Sequence, residues 1–460
     1  MRAALAKARR SFFILGWDID SQMRLTPGGA NDGLPEPLGD FLNAIVGARR
    51  GLRGYVLSWD FAMLYALERE WLPIFKLDWR THRRLSFRLD DQHPAGASHH
   101  QKIVVVDDAV AFVSGYDLTT VRWDTCAPRE GRPAPRQSPW ANRTRRSTTS
   151  ASPSTATALA RSVSSRASVG GAPRRRPPRR AAATPASDAW PAGVEPALTD
   201  IDVAIARTEP AFNGYPAVGE IRQLHLDAIA GARRRIFAEN QYFTSRLVSD
   251  AFAQRLREDD APEIAVISPY TQSGWLEIST MGVLRGRNHR LLRAADRNGR
   301  YRLYYPTLPW LDGRDDCLNI HSKVLIVDDE LLMIGSANLA DRSMGTDTEC
   351  NLALEARGDP RVERAIAGLA RSAARRASRP LAGGSRRGHA ARAQPAPGHR
   401  GAQPRGQAMP EGDRAGARSQ SRRAGAGPAG ARSRSGPSTR TPSSPISCRA
   451  RKRAAVSAAG

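Results

Sequence analysis

Two octapeptides carry one pattern, and this repeat constrains the fold more than any other feature of the chain. His100-Gln101-Lys102-Ile103-Val104-Val105-Val106-Asp107 and His321-Ser322-Lys323-Val324-Leu325-Ile326-Val327-Asp328 each set Lys two residues after His and close an apolar run with a double Asp, Asp107-Asp108 or Asp328-Asp329. A second pair of matches accompanies the first. Ala8-Arg9-Arg10 precedes the apolar Phe12 to Trp17, and Ala232-Arg233-Arg234 precedes Ile236-Phe237-Ala238. The His motifs lie 221 residues apart and the helix-strand pairs 224. Two coincidences at nearly one offset predict a duplicated α/β unit.

Each apolar run is short, β-branched and bounded by turn residues, which predicts a buried strand; a second strand, Ala109 to Val113 or Leu331 to Ile334, follows the double Asp. Strand side chains alternate, so His and Lys at i and i+2 project from one face, and each half offers an imidazole and an ammonium to a common point. The chain has 70 Lys+Arg but only five Lys, two of them in these motifs. A compact point charge is thus kept beside His where the chain otherwise uses Arg. One such histidine would read as an ordinary surface residue; a matched pair at repeat positions points to chemistry.

The formal net charge of +25 would suggest a nucleic-acid binder if it were evenly spread. It is not. Residues 125–187 hold 13 Arg and one Glu, and residues 371–460 hold 20 Lys+Arg against two acids, which leaves the remainder at −5. Both segments lack an apolar period and are too poor in core-forming residues to offset the entropy of ordering, so they are expected to be disordered. The expected organisation is therefore a first α/β domain at 1–124, expected to be incomplete, a low-complexity segment at 125–187, a second α/β domain at 188–370 and a tail at 371–460. Text of this kind arises when a GC-rich gene is read out of frame; a genuine insertion and tail is the other reading. Cys126, Cys317, Cys350 and Cys448 form no Cys-x-x-Cys pair, which suggests neither a disulfide framework nor a metal site. With no cleavable leader and no apolar run long enough to span a bilayer, the chain reads as cytoplasmic or peripheral at a membrane.

The double His-x-Lys-x-x-x-x-Asp pattern, with Gly335-Ser336-x-Asn338 after the second copy, resembles the phospholipase D superfamily. His99-His100-Gln101-Lys102, Arg122-Trp123-Asp124-Thr125 and Glu239-Asn240-Gln241-Tyr242-Phe243 look like phospholipase D proper, of the bacterial kind. The resemblance implies two duplicated domains, each a mixed sheet flanked by helices. It also implies that His100 attacks phosphorus to form a phosphohistidine and that His321 protonates the departing alcohol, with Lys102, Lys323 and Asn338 holding the phosphoryl oxygens. The resemblance also puts Ser336 in the phosphate-binding or supporting shell. Glu349 matches the position that orients the second histidine, His321; Asp124 is the nearest candidate for the first. Asp107 and Asp328, the closing residues of the catalytic motifs, are expected to fix the strand ends in a supporting shell. Asp117 stands in the slot that Asn338 fills in the second half.

The implied reaction is hydrolysis or transphosphatidylation of glycerophospholipids, giving phosphatidic acid and a free alcohol. Its expected partners are a phospholipid at a membrane surface and water or a small alcohol as acceptor, with no nucleic acid, no metal and no cofactor required. Both motifs sit in one chain, so a monomer can form the site. Trp71 to Phe75, Trp275 and Tyr304 to Trp310 are candidates for a lipid-entry face. The rival enzymatic readings are cardiolipin-synthase-like phosphatidyl transfer and a nuclease, the latter disfavoured by the −5 charge outside the basic segments. The non-enzymatic rival is a basic binder of nucleic acid or anionic membranes, which deletion of residues 371–460 would disable and an enzyme would survive.

Overall fold

The double Asp explains why the two sequence coincidences travel together. The computed structural model describes residues 1–26, 28–60, 81–119, 155–158, 190–191, 194–270, 275–309, 315–317, 320–378, 394–395 and 453–458. Asp107 and Asp108 have φ of 53° and 54°, and Asp328 and Asp329 of 55° and 63°. Asp tolerates this left-handed backbone better than most residues because its short side chain bonds to nearby main chain. So turned, the Asp107 carboxylate accepts from the N–H groups of Arg9, Arg10 and Ser11 at 2.7, 2.8 and 2.9 Å. Asp328 does the same for Arg233, Arg234 and Arg235 at 2.6, 2.7 and 2.7 Å. Each motif's last residue staples its hairpin to the start of its own repeat. Asp107→Ala or Asp328→Ala orphans three amide donors and should cost about 2–4 kcal/mol. Thermal melting should show the loss, while turnover per folded molecule stays near the native value.

The first half consists of α1 (Arg2–Lys7), β1 (Ser11–Gly16), α2 (Leu38–Ala48), β2 (Arg53–Trp59), β3 (Leu85–Asp90), β4 (Ile103–Val106) and β5 (Val110–Val113). Strands β1, β2 and β3 are parallel, and β4 runs antiparallel to β1 and forms a hairpin with β5. Next come β6 (Thr155–Ala158), β7 (Leu198–Asp202), β8 (Ala204–Glu209), β9 (Val218–Gly219) and α3 (Glu220–Gly231). The second half then repeats the first with β10 (Arg235–Asn240), α4 (Arg246–Leu256), β11 (Glu263–Ile267), α5 (Trp275–Ala295), β12 (Tyr301–Tyr305), β15 (Lys323–Val327) and β16 (Leu331–Gly335); a small ribbon, β13 (Thr307–Pro309) with β14 (Asp315–Cys317), intervenes. Strand order β3-β2-β1-β4-β5 in one sheet answers β12-β11-β10-β15-β16 in the other. The second sheet continues through β17 (Glu349–Glu355), after α6 (Asp341–Gly345), to β8 and β9; α7 (Pro360–Ser378) follows. These are the mixed sheets with flanking helices that the repeat implied.

Strand alternation divides the core into layers. Phe12, Ile14, Val104, Val106, Val110 and Phe112 face α1 and α2, with Leu5, Phe41 and Ile45 in the same cluster. Ile236, Leu325, Val327 and Met333 face α4, with Val248 and Phe252. The opposite faces meet each other. Phe13, Leu15, Ile103, Val105 and Val113 share one cluster with Ile326, Leu332, Ile334, Leu352 and, from α7, Val362 and Ile366. Strands apolar on both faces are those buried on both faces. This shared layer makes the two expected domains halves of one compact unit, Met1–Pro397 with Ala450–Gly460, to which the described residues belong.

Val203 separates β7 from β8. Two local expectations differ. Helix α7 runs to Ser378, so the first eight residues of the expected tail, 371–378, are helical. Within the basic segments the described residues beyond α7 are β6, β18 (Gln394–Pro395) and β19 (Arg453–Ala458), with β6 and β19 in the first sheet; the rest of those segments lies outside the described residues.

Candidate active site

His100 and Lys102 lie just before β4, and Lys323 opens β15 with His321 two residues earlier, so the motif histidines sit on the approach to a strand. The expected side-by-side projection is accordingly replaced by a tighter arrangement. In each copy the Lys side chain folds back to donate to the carbonyl of its own His, Lys102 Nζ to His100 O and Lys323 Nζ to His321 O, both at 2.7 Å. Both lysines are buried. A buried ammonium needs acceptors, and the two halves supply different ones. Lys102 Nζ stands 3.3 Å from Asp117 Oδ1, while Lys323 Nζ donates to Gln241 Oε1 at 2.9 Å.

Asp117 also accepts from the N–H groups of Trp17 and Asp18 at 2.8 and 3.2 Å. The departure from Asn in this slot is thereby explained: a carboxylate suits a position that collects two amides and a buried lysine. Its counterpart Asn338 is buried with Oδ1 lacking a hydrogen-bond partner among the described residues.

Glu349 is where the structure corrects the sequence reading. Assigned by resemblance to His321, its carboxylate meets His100 instead, with Nδ1 at 2.9 Å from Oε1 and 3.0 Å from Oε2. The side chain is fully buried, and Ser336 Oγ and Ser343 Oγ donate to it at 2.5 and 2.7 Å. The cause is the crossing of the two halves. Main chain at Ser98–His100 lies alongside Thr348, with Thr348 N donating to Ser98 O and His100 N to Thr348 O, each at 2.9 Å. The start of β17 therefore delivers its acid to the other half's histidine. Asp124, proposed for His100, lies outside the described residues.

The crossing is reciprocal. Tyr116 stacks on His321 with ring centroids 5.7 Å apart and planes at 25°. A Cβ at Gly115 would come within 2.9 Å of Lys323 Cδ and 3.2 Å of His321 O, so the small residue after β5 is required by close approach to the other motif. Sequence reasoning missed Ser343 and Tyr116, which have no one-dimensional signal beyond nearness to a motif; Gln241 stands in the quoted Glu239 to Phe243 motif, but the lysine contact was not foreseen.

Glu349 can only accept, so the neutral His100 carries its proton on Nδ1 and leaves Nε2 with a lone pair. His321 Nδ1 lies 3.3 Å from Lys323 Nζ. Cys350, next to Glu349, is no second nucleophile, since burial pushes its thiol up to about 12. Among the described residues no group of three or more His, Cys, Asp or Glu side chains is arranged to hold a metal ion.

A family model described as "Cardiolipin synthase, PLD-like domain" matches residues 225–367, the half that contains the second motif, Ser336, Asn338 and Glu349. Phospholipase D C of Dictyostelium discoideum is 32% identical over 123 residues, and Phospholipase D1 of Homo sapiens is 30% identical over 158 residues. This half of the chain belongs to the phospholipase D superfamily. These alignments cover 26% and 27% of the chain, and they span 7% and 15% of the length of those relatives. The solved phosphatidylserine synthase of Haemophilus influenzae Rd KW20 is similar at 12% identity, over 81% of this chain and 82% of that one, with a TM-score of 0.48; Nuc from Salmonella typhimurium is similar at 17% identity, over 38% and 93%, with a TM-score of 0.27.

Of the lipid-entry candidates, Trp71 to Phe75 and Trp310 lie outside the described residues. Tyr304 packs against Ile267 and Ile320, and the Tyr305 ring lies 4.7 Å from that of Tyr270, tilted by 39°, with Tyr270 itself 37% exposed. Among the described residues no helix is long and apolar enough to cross a membrane.

Proposed function

We propose that this phospholipase D superfamily chain transfers the phosphatidyl group of glycerophospholipids to water or a small alcohol through a phosphohistidine at His100. The observation that carries the reading is the contact of His100 Nδ1 with the buried carboxylate of Glu349, which puts the lone pair on Nε2, in a chain that carries a second His–Lys pair. His100 Nε2 attacks phosphorus, the bond to the head-group oxygen breaks, and the departing alkoxide takes a proton from His321 in its imidazolium form. The neutral His321 then removes a proton from water or alcohol, whose oxygen displaces His100 from phosphorus. Lys102, Lys323 and Asn338 are the donors to the phosphoryl oxygens, whose charge is greatest in the two transition states. Glu349 holds the His100 imidazolium side of the reaction in orientation throughout.

The products are phosphatidic acid with water and a phosphatidyl alcohol with an alcohol. The description of the matched family model raises phosphatidylglycerol as an acceptor, which would give cardiolipin. The test is incubation with phosphatidylcholine vesicles, with and without ethanol, in excess EDTA. Phosphatidic acid alone, and phosphatidylethanol when ethanol is present, are expected, because two His and two Lys supply the charge and protons that the scheme needs. Loss of all turnover in EDTA, restored by Mg²⁺ or Zn²⁺, would overturn it. Products only when phosphatidylglycerol is added would shift the acceptor to that lipid.

A further inference from the structure

His99 precedes the nucleophile, and the repeat has no equivalent: the matching position in the second half is Ile320. Its ring is nearly buried and stands between two partners. Nδ1 lies 3.1 Å from Thr348 Oγ1, and Nε2 lies 3.5 Å from Asp90 Oδ2 at the end of β3. His93 packs edge-on at 5.2 Å, but its own nitrogens are committed, Nε2 accepting from Trp59 Nε1 at 2.9 Å and Nδ1 donating to Pro94 O at 3.0 Å. Burial works against ionisation of Asp90, yet the hydrogen bond and charge of His99, with help from Gln92 N–H and His93, hold its carboxyl below the usual range.

The main chain around His99 forms the crossing described above. His99 and Thr348 make a parallel bridge, Ser98 N donates to Asp347 Oδ1 at 2.8 Å, and Arg342 ties Asp347 to Gly96 O at 2.7 Å. The residues that follow His99 and Thr348 are His100 and Glu349. Any slip of one segment along the other therefore moves the nucleophile relative to the carboxylate that sets its tautomer. The His99–Thr348 hydrogen bond and the 3.5 Å contact of His99 with Asp90 join this crossing to the end of β3.

We propose that His99, held by Asp90, is a positioning residue for phosphodiester transfer: through Thr348 it keeps His100 Nδ1 on Glu349. The proposal rests on His100 being the nucleophile. Displacement of a reacting group by about 1 Å costs about 100-fold in rate. His99→Ala in the full chain should lower kcat about 100-fold on phosphatidylcholine vesicles and leave KM within about twofold. Thr348→Val should act alike, and Thr348→Ser should restore the native rate.

A readout independent of turnover is the downfield imidazole proton on His100 Nδ1, assigned by its disappearance in His100→Ala. It should be sharp in the native chain and lost or exchange-broadened in His99→Ala, in Asp90→Asn and in Thr348→Val. Should His99→Ala not fold, the two near-isosteric variants, Asp90→Asn and Thr348→Val, carry the same comparison. An unchanged resonance in the folded variants overturns the positioning role whatever the turnover. A resonance lost on substitution in a native chain that turns over no phospholipid supports the positioning contact and rejects the function instead.

Discussion

His100→Ala is expected to form no phosphoenzyme and to lose turnover by roughly 10⁴-fold or more, because the nucleophile itself is gone. His321→Ala should also abolish steady-state turnover with a natural lipid, whose head-group alkoxide leaves only when protonated. The two variants part company on an activated substrate. With a p-nitrophenol leaving group, protonation is no longer needed for the first step, so His321→Ala should accumulate radioactive phosphoenzyme while His100→Ala stays unlabelled. The expected asymmetry follows from Glu349 accepting from the His100 ring, which leaves Nε2 of that ring to attack, while His321 serves only to move the proton. Equal labelling of both variants, or labelling of His100→Ala alone, would reverse the roles.

Glu349→Ala should produce the next largest effect, and on two properties at once. The carboxylate is fully buried and takes hydrogen bonds from His100, Ser336 and Ser343. Removing it strands three polar groups in a dry interior, which should destabilise the fold by about 3–5 kcal/mol. Turnover should fall by about 10³–10⁴-fold, since an imidazole without its acceptor samples the wrong tautomer. Glu349→Gln separates the two effects. The amide keeps the volume and most of the contacts, so chemical denaturation should show less than half the stability loss, while turnover stays as low as in Glu349→Ala. Near-native turnover in a folded Glu349→Gln protein would remove Glu349 from the reaction.

Much of this molecule was legible one residue at a time. The duplicated α/β unit, the buried strands between His and double Asp, and the catalytic His and Lys candidates all follow from local pattern, because strand burial and turn chemistry are written in short runs. Asp107 and Asp328 were expected at strand ends, and their carboxylates do close the hairpins onto Arg9–Ser11 and Arg233–Arg235. What remained illegible was which acid serves which histidine. Glu349 follows His321 in sequence but touches His100, since each half's site is completed by the other and partner choice depends on how the two sheets pack through Phe13, Val105, Ile326 and Leu352. Ser343, Tyr116 and Thr348 joined the site for the same reason. Local sequence sets the elements and the chemistry that each one carries; only the packing of one apolar face on another brings residues 249 positions apart within a hydrogen bond.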